Sequence, residues 1–326
     1  MAMRILHVVP GLDNPFNGIA VAAKLIVGEQ AVEIVDAWEF GKIKDLAKYE
    51  EIWVHSCWLP VTLKACRRVI KAKRPLVRMT HANLDPVRLR YHGWKKWLVG
   101  PIERYFLRRC DRIIATCKAE KEWIEAYLGK KCPEIVVEDV KRFFDFSRVE
   151  RVDCVEGEKG VSSEFRVQSW GKENSKLQTS NSKLNLLYLG RRHPLKGVEF
   201  LESAVRQLQN STRSTRSTRL KIELKIVSNA FGEELEKVWE WCDVLVLPTL
   251  SENFGLVIAE ALERGKRVIT TDGAPAWEED CSLELELGEI WSGYGGMLLY
   301  LKGYRYGTKS KRIELLKKAI MFFAKG

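Results

Sequence analysis

Residues 245–272 constrain the fold of this chain more than any other stretch. Their sequence, LVLPTLSENFGLVIAEALERGKRVITTD, predicts a buried strand, a turn at Pro248, a polar loop, a helix and a second strand. Short apolar strands that alternate with helices are typical of a parallel sheet covered by helices on both faces. The stretch therefore predicts an α/β fold.

The same alternation of strands and helices runs through the rest of the chain. In the first half, strands are predicted at 3–10, 32–36, 51–55, 75–81, 111–117 and 134–138, and helices at 59–73, 94–109 and 118–128. In the second half, strands are predicted at 184–190, 221–227, 243–248 and 266–271, and helices at 197–209, 232–241 and 256–264. Two such series predict two Rossmann-like domains, whose ligands bind beyond the carboxyl ends of the strands.

The boundaries of these domains follow from changes in composition. The polar stretch at 149–183 has few clustered apolar residues and predicts a flexible linker or insertion. The N-terminal domain is then predicted at 1–148 and the C-terminal domain at 184–308. Residues 309–326 carry an apolar stripe at helical spacing and predict a final helix. The Gly- and Tyr-rich segment at 291–308 predicts a loop that could include a short strand.

The loop and helix start at 252–260 predict a ligand site. Gly255 lets the main chain approach a ligand closely, and the first amides of the following helix are unpaired and favour phosphate. Carboxylates flank this position, because Glu252 precedes it and Glu260 follows it. Carboxylates beside a phosphate site fit a ligand that also has hydroxyls. A nucleotide sugar has a diphosphate, a ribose and a sugar, and therefore fits this pattern.

A second basic motif agrees with a diphosphate ligand. In the run LNLLYLGRRHPLKGVEFL, an apolar strand ends at Gly190, and Arg191 and Lys196 flank the loop that follows. An arginine fork and a lysine point charge suit a diphosphate. Arg192 is a neighbour that could compete for the phosphate role.

These two motifs resemble those of the family 4 retaining glycosyltransferases, which have the GT-B fold. The E-x7-E pattern lies in the context SENFGLVIAEAL, and GRRHPLKG is similar to the family's G-R-x4-K-G element. The resemblance implies two facing Rossmann-like domains with a cleft between them and a last helix that crosses back to the first domain. It implies that Glu252 contacts the donor sugar, that Glu260 holds the ribose hydroxyls, and that the intervening residues bind the donor. The intervening residues are Asn253, Phe254, Gly255, Leu256 and Val257.

The resemblance also assigns catalytic and acceptor-side residues. It implies that Arg191 and Lys196 neutralise charge on the leaving diphosphate. Family members have a Gly-containing loop on the acceptor side of the cleft, and Gly18 is the matching residue in a reduced Asn17-Gly18 pair. They often place a His at a strand end, facing the sugar and diphosphate, and His81 matches it. A buried structural role for His81 remains the alternative.

The function implied by the resemblance is retaining, metal-independent transfer of a sugar from a nucleotide-diphosphate sugar. The acceptor would be a hydroxyl of a glycan or a lipid-linked molecule, and a role in lipopolysaccharide synthesis extrapolates from the family. No D-x-D motif and no His, Cys or paired Asp cluster predicts a metal site or cofactor, so Arg and Lys would supply the electrostatics. Two alternatives stay open: another GT-B enzyme, such as a nucleotide-sugar epimerase, and a non-catalytic scaffold that binds a nucleotide sugar or a membrane.

The net charge of +11 predicts an anionic partner. The basic and aromatic stretch YHGWKKWLVGPIERYFLRRC fits the surface of an anionic bilayer, although a core-packed helix with a solvated basic face is the alternative. No recognised nucleic-acid module is present, so nucleic acid is not a predicted partner. The eight cysteines form no C-x-x-C pair and no signal sequence is found, which predicts a cytoplasmic protein, peripheral at the inner membrane face.

Overall fold

The structure is a computed structural model that describes residues 4–14, 17–27, 32–91, 93–144, 183–214, 221–280, 283–285, 288–293 and 296–325. The chain divides into two structural units, Met1–Phe143 and Phe144–Gly326. The predicted linker at 149–183 lies outside the described residues, except for Lys183 at the start of a strand. No helix among the described residues is both long enough and apolar enough to span a bilayer.

The first unit contains a parallel sheet of six strands in the order β2-β1-β3-β4-β5-β6. The strands are β1 (Ile5–Val9), β2 (Val32–Asp36), β3 (Glu51–His55), β4 (Leu76–Met79), β5 (Arg112–Ala115) and β6 (Glu134–Val137). All five residues of β1 are buried, as expected for a central parallel strand with both faces covered. Each strand lies where the apolar runs predicted one.

The described residues of this unit also form five α-helices. They are α1 (Gly18–Val27), α2 (Pro60–Lys71), α3 (Pro86–Arg90), α4 (Gly93–Leu107) and α5 (Lys118–Leu128). The larger core cluster joins one sheet face to buried side chains of α2, α4 and α5. Smaller clusters on the opposite face join the sheet to Ala20, Ala23 and Ile26 of α1.

The second unit contains a mixed sheet of seven strands in the order β11-β12-β13-β10-β9-β7-β8. The strands are β7 (Lys183–Leu189), β8 (Lys221–Val227), β9 (Val244–Val246), β10 (Arg267–Thr271), β11 (Leu283–Leu285), β12 (Gly288–Gly293) and β13 (Gly296–Leu301). The helices are α6 (Val198–Ser214), α7 (Glu233–Trp241), α8 (Leu256–Glu263) and α9 (Lys309–Lys325). Strands β7 to β10 and helices α6 to α9 match their predicted positions.

The edge of this sheet differs from the prediction of a mainly irregular segment at 291–308. Strand β13 pairs in parallel with β10, and β12 pairs antiparallel with both β13 and β11. Glycine and tyrosine content masked the weak alternation of these strands. The last helix, α9, packs on α6 within the second unit. Its predicted crossing to the first domain stays a prediction.

Candidate functional site

The candidate site residues of the second unit lie in loops that follow three neighbouring strands. The loop at 190–197 follows β7, the loop at 247–255 follows β9, and the loop at 272–280 follows β10. Strand β9 pairs in parallel with both β7 and β10, so the carboxyl ends of all three strands are at the same edge of the sheet. This is the edge at which open α/β sheets bind ligands.

The two sequence motifs meet at this edge through a charged contact. Lys196 and Glu252 are 56 positions apart in the chain, and the Lys196 ammonium group donates to Oε2 of Glu252. Their side chains are 18% and 17% exposed, so the pair is partly shielded and still reachable by solvent. The other carboxylate oxygen of Glu252 accepts from the Asn253 amide at 3.0 Å.

Main-chain packing holds the two loops in contact. The Leu250 amide donates to the Leu195 carbonyl at 2.8 Å, and the Thr249 hydroxyl donates to the same oxygen at 3.1 Å. Gly197 has a φ of +64°, and a Cβ placed there would lie 2.1 Å from the carbonyl oxygen of Pro248. Only glycine permits both the backbone conformation and the close approach. The position of Lys196 therefore depends on the glycine that follows it.

Helix α8 begins directly after the predicted phosphate loop. Gly255 is its N-cap residue in the left-handed conformation, with φ 74° and ψ 63°, and as a glycine it offers no side-chain cap to the first turn. The first amides of the helix therefore have no side-chain acceptor from the cap residue, as an anion site requires. Leu256 and Val257 are half-buried at this end.

Trp277 supports the loop that precedes α8. Its indole N–H donates to the Phe254 carbonyl at 2.6 Å, and the two rings lie 5.1 Å apart. Both side chains are buried. The structure thus identifies Trp277 as a support for the loop that precedes α8.

Glu260 lies on α8 and is half-buried. Burial raises the pKa of its carboxyl group above the ordinary value, and Arg264, one turn later, opposes the shift. A carboxylate in this position can accept hydrogen bonds from hydroxyls. The structure places it on the helix that Gly255 begins, eight positions after Glu252 in the chain.

The two arginines after β7 have different surroundings. Arg192 pairs with Glu202 of α6 at 2.7 Å. Within the described part of the chain, Arg191 forms no ion pair, and its side chain is exposed. Its own main-chain carbonyl accepts a hydrogen bond from the Tyr188 hydroxyl at 2.9 Å. Arg192 would have to break its ion pair with Glu202 before it could bind an anion, whereas Arg191 would not.

In the first unit, His81 lies in a turn just after β4. The turn has positive φ values of 52° at His81 and 53° at Ala82. Glu120 is buried and holds the turn, because its carboxylate accepts from the Thr80 hydroxyl and the Ala82 amide, both at 2.5 Å. His81 is 2% exposed, and burial lowers the pKa of its imidazole to about 3. Glu120 was not among the residues predicted from sequence, because no local motif marks it.

Gly18 is the first residue of α1, and a Cβ there would meet no atom within 4 Å. The side chain of the preceding Asn17 donates to the Pro10 carbonyl at 2.7 Å and its oxygen accepts from the Ile19 amide at 3.2 Å. The turn after β1 is therefore held by Asn17, and Gly18 leaves the helix start open. In the parts of the chain that the structure describes, no three His, Cys, Asp or Glu side chains are arranged to hold a metal ion.

Two models of known families match this chain. Residues 29–137 match the family described as Glycosyltransferase Family 4, and residues 183–281 match the family described as Glycosyl transferases group 1. The chain belongs to glycosyltransferase family 4. The second match includes both motifs of the site, from Arg191 to Glu260. No curated protein sequence matches the glycosyltransferase.

Solved structures of other glycosyltransferases share its fold. Sucrose-phosphate synthase from Thermosynechococcus elongatus is 11% identical, with coverage of 99% of this chain and 93% of that one and a TM-score of 0.58. An α,α-trehalose 6-phosphate synthase from Burkholderia multivorans is 12% identical, with coverage of 98% and 91% and a TM-score of 0.55. HepE from Anabaena, in complex with UDP-glucose, is 14% identical, with coverage of 99% and 94% and a TM-score of 0.51. This glycosyltransferase therefore has the GT-B fold.

Proposed function

We propose that this glycosyltransferase transfers a sugar from a nucleotide-diphosphate sugar to a hydroxyl of a glycan or lipid-linked acceptor, with retention at the anomeric carbon. The observation that carries the proposal is the contact between Lys196 and Glu252, which joins the basic motif to the E-x7-E motif. A lysine that can bind a phosphate and a carboxylate that can bind sugar hydroxyls are therefore adjacent. In a nucleotide sugar, the phosphate and the sugar are likewise adjacent.

Each motif has a defined part in this proposal. Lys196, Arg191 and the first amides of α8 stabilise the charge that develops on the leaving diphosphate. Glu260 accepts from the ribose hydroxyls. When the donor binds, Lys196 exchanges the Glu252 carboxylate for a phosphate oxygen, and the released carboxylate accepts from sugar hydroxyls. The contact between Lys196 and Glu252 thus holds both groups close to each other at the site.

The donor we propose to test first is a UDP-sugar, since the structurally similar HepE was solved with UDP-glucose. Lysine and arginine can stabilise the leaving diphosphate by themselves, and we propose on this ground that the reaction needs no metal ion. Lipopolysaccharide or another surface polysaccharide is the proposed product class. Nuclear magnetic resonance of the purified product would give the anomeric configuration and test retention.

Donor binding can be tested by isothermal titration of the purified protein with UDP, GDP, ADP and their sugar conjugates, with Mg²⁺ and with EDTA. We expect one nucleotide to bind in EDTA and to bind at least tenfold more weakly to Glu260→Gln. No binding of any nucleotide, or binding that needs Mg²⁺, would contradict the corresponding part of the proposal.

The turnover of a lysine variant tests the proposed phosphate role of Lys196. Replacing Lys196 by Ala should lower kcat on the order of 10²-fold, as does the loss of one preorganised donor in other enzymes. Lys221→Ala is a matched control, because Lys221 is an exposed lysine at the opposite, amino-terminal end of β8. Equal turnover of both variants would refute the phosphate role of Lys196.

We further propose that the first unit binds an anionic bilayer through α4. The outward stripe of this helix is apolar, and its exposed members recur at helical spacing: Trp94, Trp97, Leu98, Ile102 and Tyr105. The opposite stripe, with Glu103 and Phe106, is buried. The alternative of a helix with only a solvated basic face does not account for Trp97, which is 78% exposed.

Positive charges on and beside α4 favour an anionic lipid surface as the partner of this apolar stripe. Lys95 and Arg109 are exposed, and each lies over an aromatic ring of the stripe, at 5.5 Å from Trp94 and 4.2 Å from Tyr105. Aromatic side chains flanked by cations match the headgroup region of an anionic membrane. A lipid-linked acceptor would be presented to the enzyme at such a surface.

Sedimentation with vesicles tests this surface. We expect binding to vesicles that contain 30% phosphatidylglycerol and little binding to pure phosphatidylcholine. Trp97→Gln should reduce binding severalfold, whereas Trp38→Gln should not, because Trp38 is equally exposed at 72% but lies outside α4. Equal binding of both variants, or self-association through α4 without lipid binding, would contradict the proposal.

A further inference from the structure

Three of the five histidines of the chain form a buried row in the first unit. Nδ1 of His7 lies 2.9 Å from Nε2 of His55, and Nδ1 of His55 lies 2.9 Å from Nε2 of His81. The three rings are 1%, 0% and 2% exposed. We call His7, His55 and His81 the histidine row.

Strand register explains why the row is diagonal. His7 in β1 is the Cα partner of Trp53 in β3, and His55 follows two positions later on the same strand. His55 is in turn the partner of Met79 in β4, and His81 follows two positions later. A step of two residues keeps a side chain on the same face, so the row crosses three adjacent strands towards their carboxyl ends.

The surroundings keep the three rings neutral. Burial lowers the pKa of His7 to about 4, and that of His55 lies well below its ordinary value. The charged groups that act on the row are Arg78, which lowers the pKa of His55, and Arg88, which lowers that of His81. Trp53 stacks on the His7 ring at 4.8 Å.

A neutral row of this kind has only two proton arrangements. A neutral imidazole has one N–H and one bare nitrogen, and both nitrogens of His55 are engaged. If His7 donates to His55, then His55 donates to His81, and all three rings carry the proton on Nδ1. If the direction is reversed, all three carry it on Nε2. The proton state of His81 Nδ1 is therefore coupled to His7 through two hydrogen bonds.

We propose that His7 and His55 are positioning residues that fix the ring and the tautomer of His81. The family resemblance implies that His81 faces the sugar and diphosphate, and the inference rests on the proposed function for its effect on catalysis. Whether Nδ1 of His81 donates or accepts a hydrogen bond at the substrate is then decided by a residue in the middle of β1. The turn held by Glu120 places the main chain of His81, and the row places its ring.

Nitrogen-15 spectra of the histidine-labelled protein test the row directly. We expect three neutral rings that share one tautomer and do not titrate between pH 5 and 8. Signals of the remaining histidines, His92 and His193, are assigned with His→Gln variants. His55→Phe should leave His81 in a mixture of tautomers. Mixed tautomers within the row of the parent protein, or an unchanged His81 in His55→Phe, would overturn the proposal.

Two replacements of His55 separate hydrogen bonding from packing. Phenylalanine keeps a ring without nitrogens, whereas glutamine can donate to one neighbour and accept from the other. We expect kcat to fall at least tenfold in His55→Phe with the donor KM changed less than threefold, and to recover partly in His55→Gln. Met79→Leu controls for packing, because Met79 is buried on the same face and is the cross-strand partner of His55.

The outcomes distinguish this inference from the proposed function. If the parent protein transfers no sugar from any nucleotide donor, the proposed function fails, and the spectra alone decide whether the row fixes the tautomer of His81. If transfer is present and His55→Phe retains more activity than His55→Gln, ring packing positions His81 and the inference is wrong.

Discussion

Acidification from pH 7 to pH 5 should destabilise the first unit, because the histidine row stays neutral in the folded protein. The pKa of His7 falls from the ordinary value of 6.5 to about 4, and that of His81 to about 3. Each folded pKa lies below the unfolded one, so the unfolded chain binds more protons. Stability is therefore lost as the pH drops below about 6.5, and the loss continues until the folded pKa is reached.

The size of the effect follows from these pKa values. At pH 5 an unfolded histidine is almost fully protonated and a folded one in the row is almost fully neutral. The free energy of unfolding then falls by about 2 kcal/mol for each of His7 and His81 between pH 7 and pH 5. These two rings together give about 4 kcal/mol, which is a large share of the stability of a typical domain, and His55, whose pKa burial also lowers, adds to the loss in the same direction.

Hydrogen exchange measured by mass spectrometry between pH 5 and 8 can report this loss in the first unit alone. Peptides from β1, β3 and β4 should show the loss after correction for intrinsic exchange rates. Peptides of the second unit contain Glu260 and Asp272, whose pKa values are raised by burial, so acid acts there in the opposite direction. Reading the two units separately keeps these effects apart.

Substitution of one ring supplies the internal check. His7→Phe removes one titrating ring and should reduce the difference between pH 7 and pH 5 by about 2 kcal/mol. Met79→Leu should leave the difference unchanged. A difference below about 1 kcal/mol in the parent protein would refute the reasoning, since it would mean that the folded rings bind protons as readily as the unfolded ones.

Three further predictions concern a close main-chain contact, a buried ion pair and a supporting hydrogen bond. Gly197→Ala should lower the free energy of unfolding by about 2–4 kcal/mol in urea denaturation, from backbone strain and overpacking, whereas Gly41→Ala, with open space around it, should change it by less than about 0.5 kcal/mol. Glu103→Leu should lower it by about 3–5 kcal/mol, since it leaves Arg78 buried without its partner at 2.7 Å, and adding Arg78→Met should restore part of the loss. Trp277→Phe should weaken nucleotide binding in calorimetry, since it removes the hydrogen bond from the Trp277 indole to the Phe254 carbonyl, which supports the loop before α8.

Sequence alone predicted the parts of this fold and site that are encoded locally. Apolar runs and turn residues predicted most strands and helices of both sheets, and the context of Glu252 and Glu260 predicted a ligand site that stays a prediction. At 291–308 only a loop that could include a short strand was predicted, because β11 to β13 have just three to six residues each and carry too little periodicity to be recognised. The outward apolar stripe of α4 was also not predictable, because the same residues at helical spacing could have faced the core.

The histidine row shows why long-range arrangements escape sequence analysis. His7, His55 and His81 are far apart in the chain, and each alone is an ordinary residue of an apolar strand. They meet because β3 lies between β1 and β4 in the sheet, and because the parallel register offsets each ring by two residues. Neither strand order nor register can be derived from one sequence by periodicity.

The two units hold their candidate catalytic groups in physically different ways. Lys196 and Glu252 are partly exposed, and water or a phosphate can replace either partner, so donor binding can separate them with little loss of stability. His81 is buried, its main chain is held by Glu120 and its ring by His55, and such a fully buried network is costly to rearrange. A ligand can therefore rearrange the charged contact of the second unit more easily than the buried network around His81 in the first unit. On this reasoning, substitutions in the row should reduce turnover more than donor affinity, and substitutions of Lys196 or Glu260 should affect both.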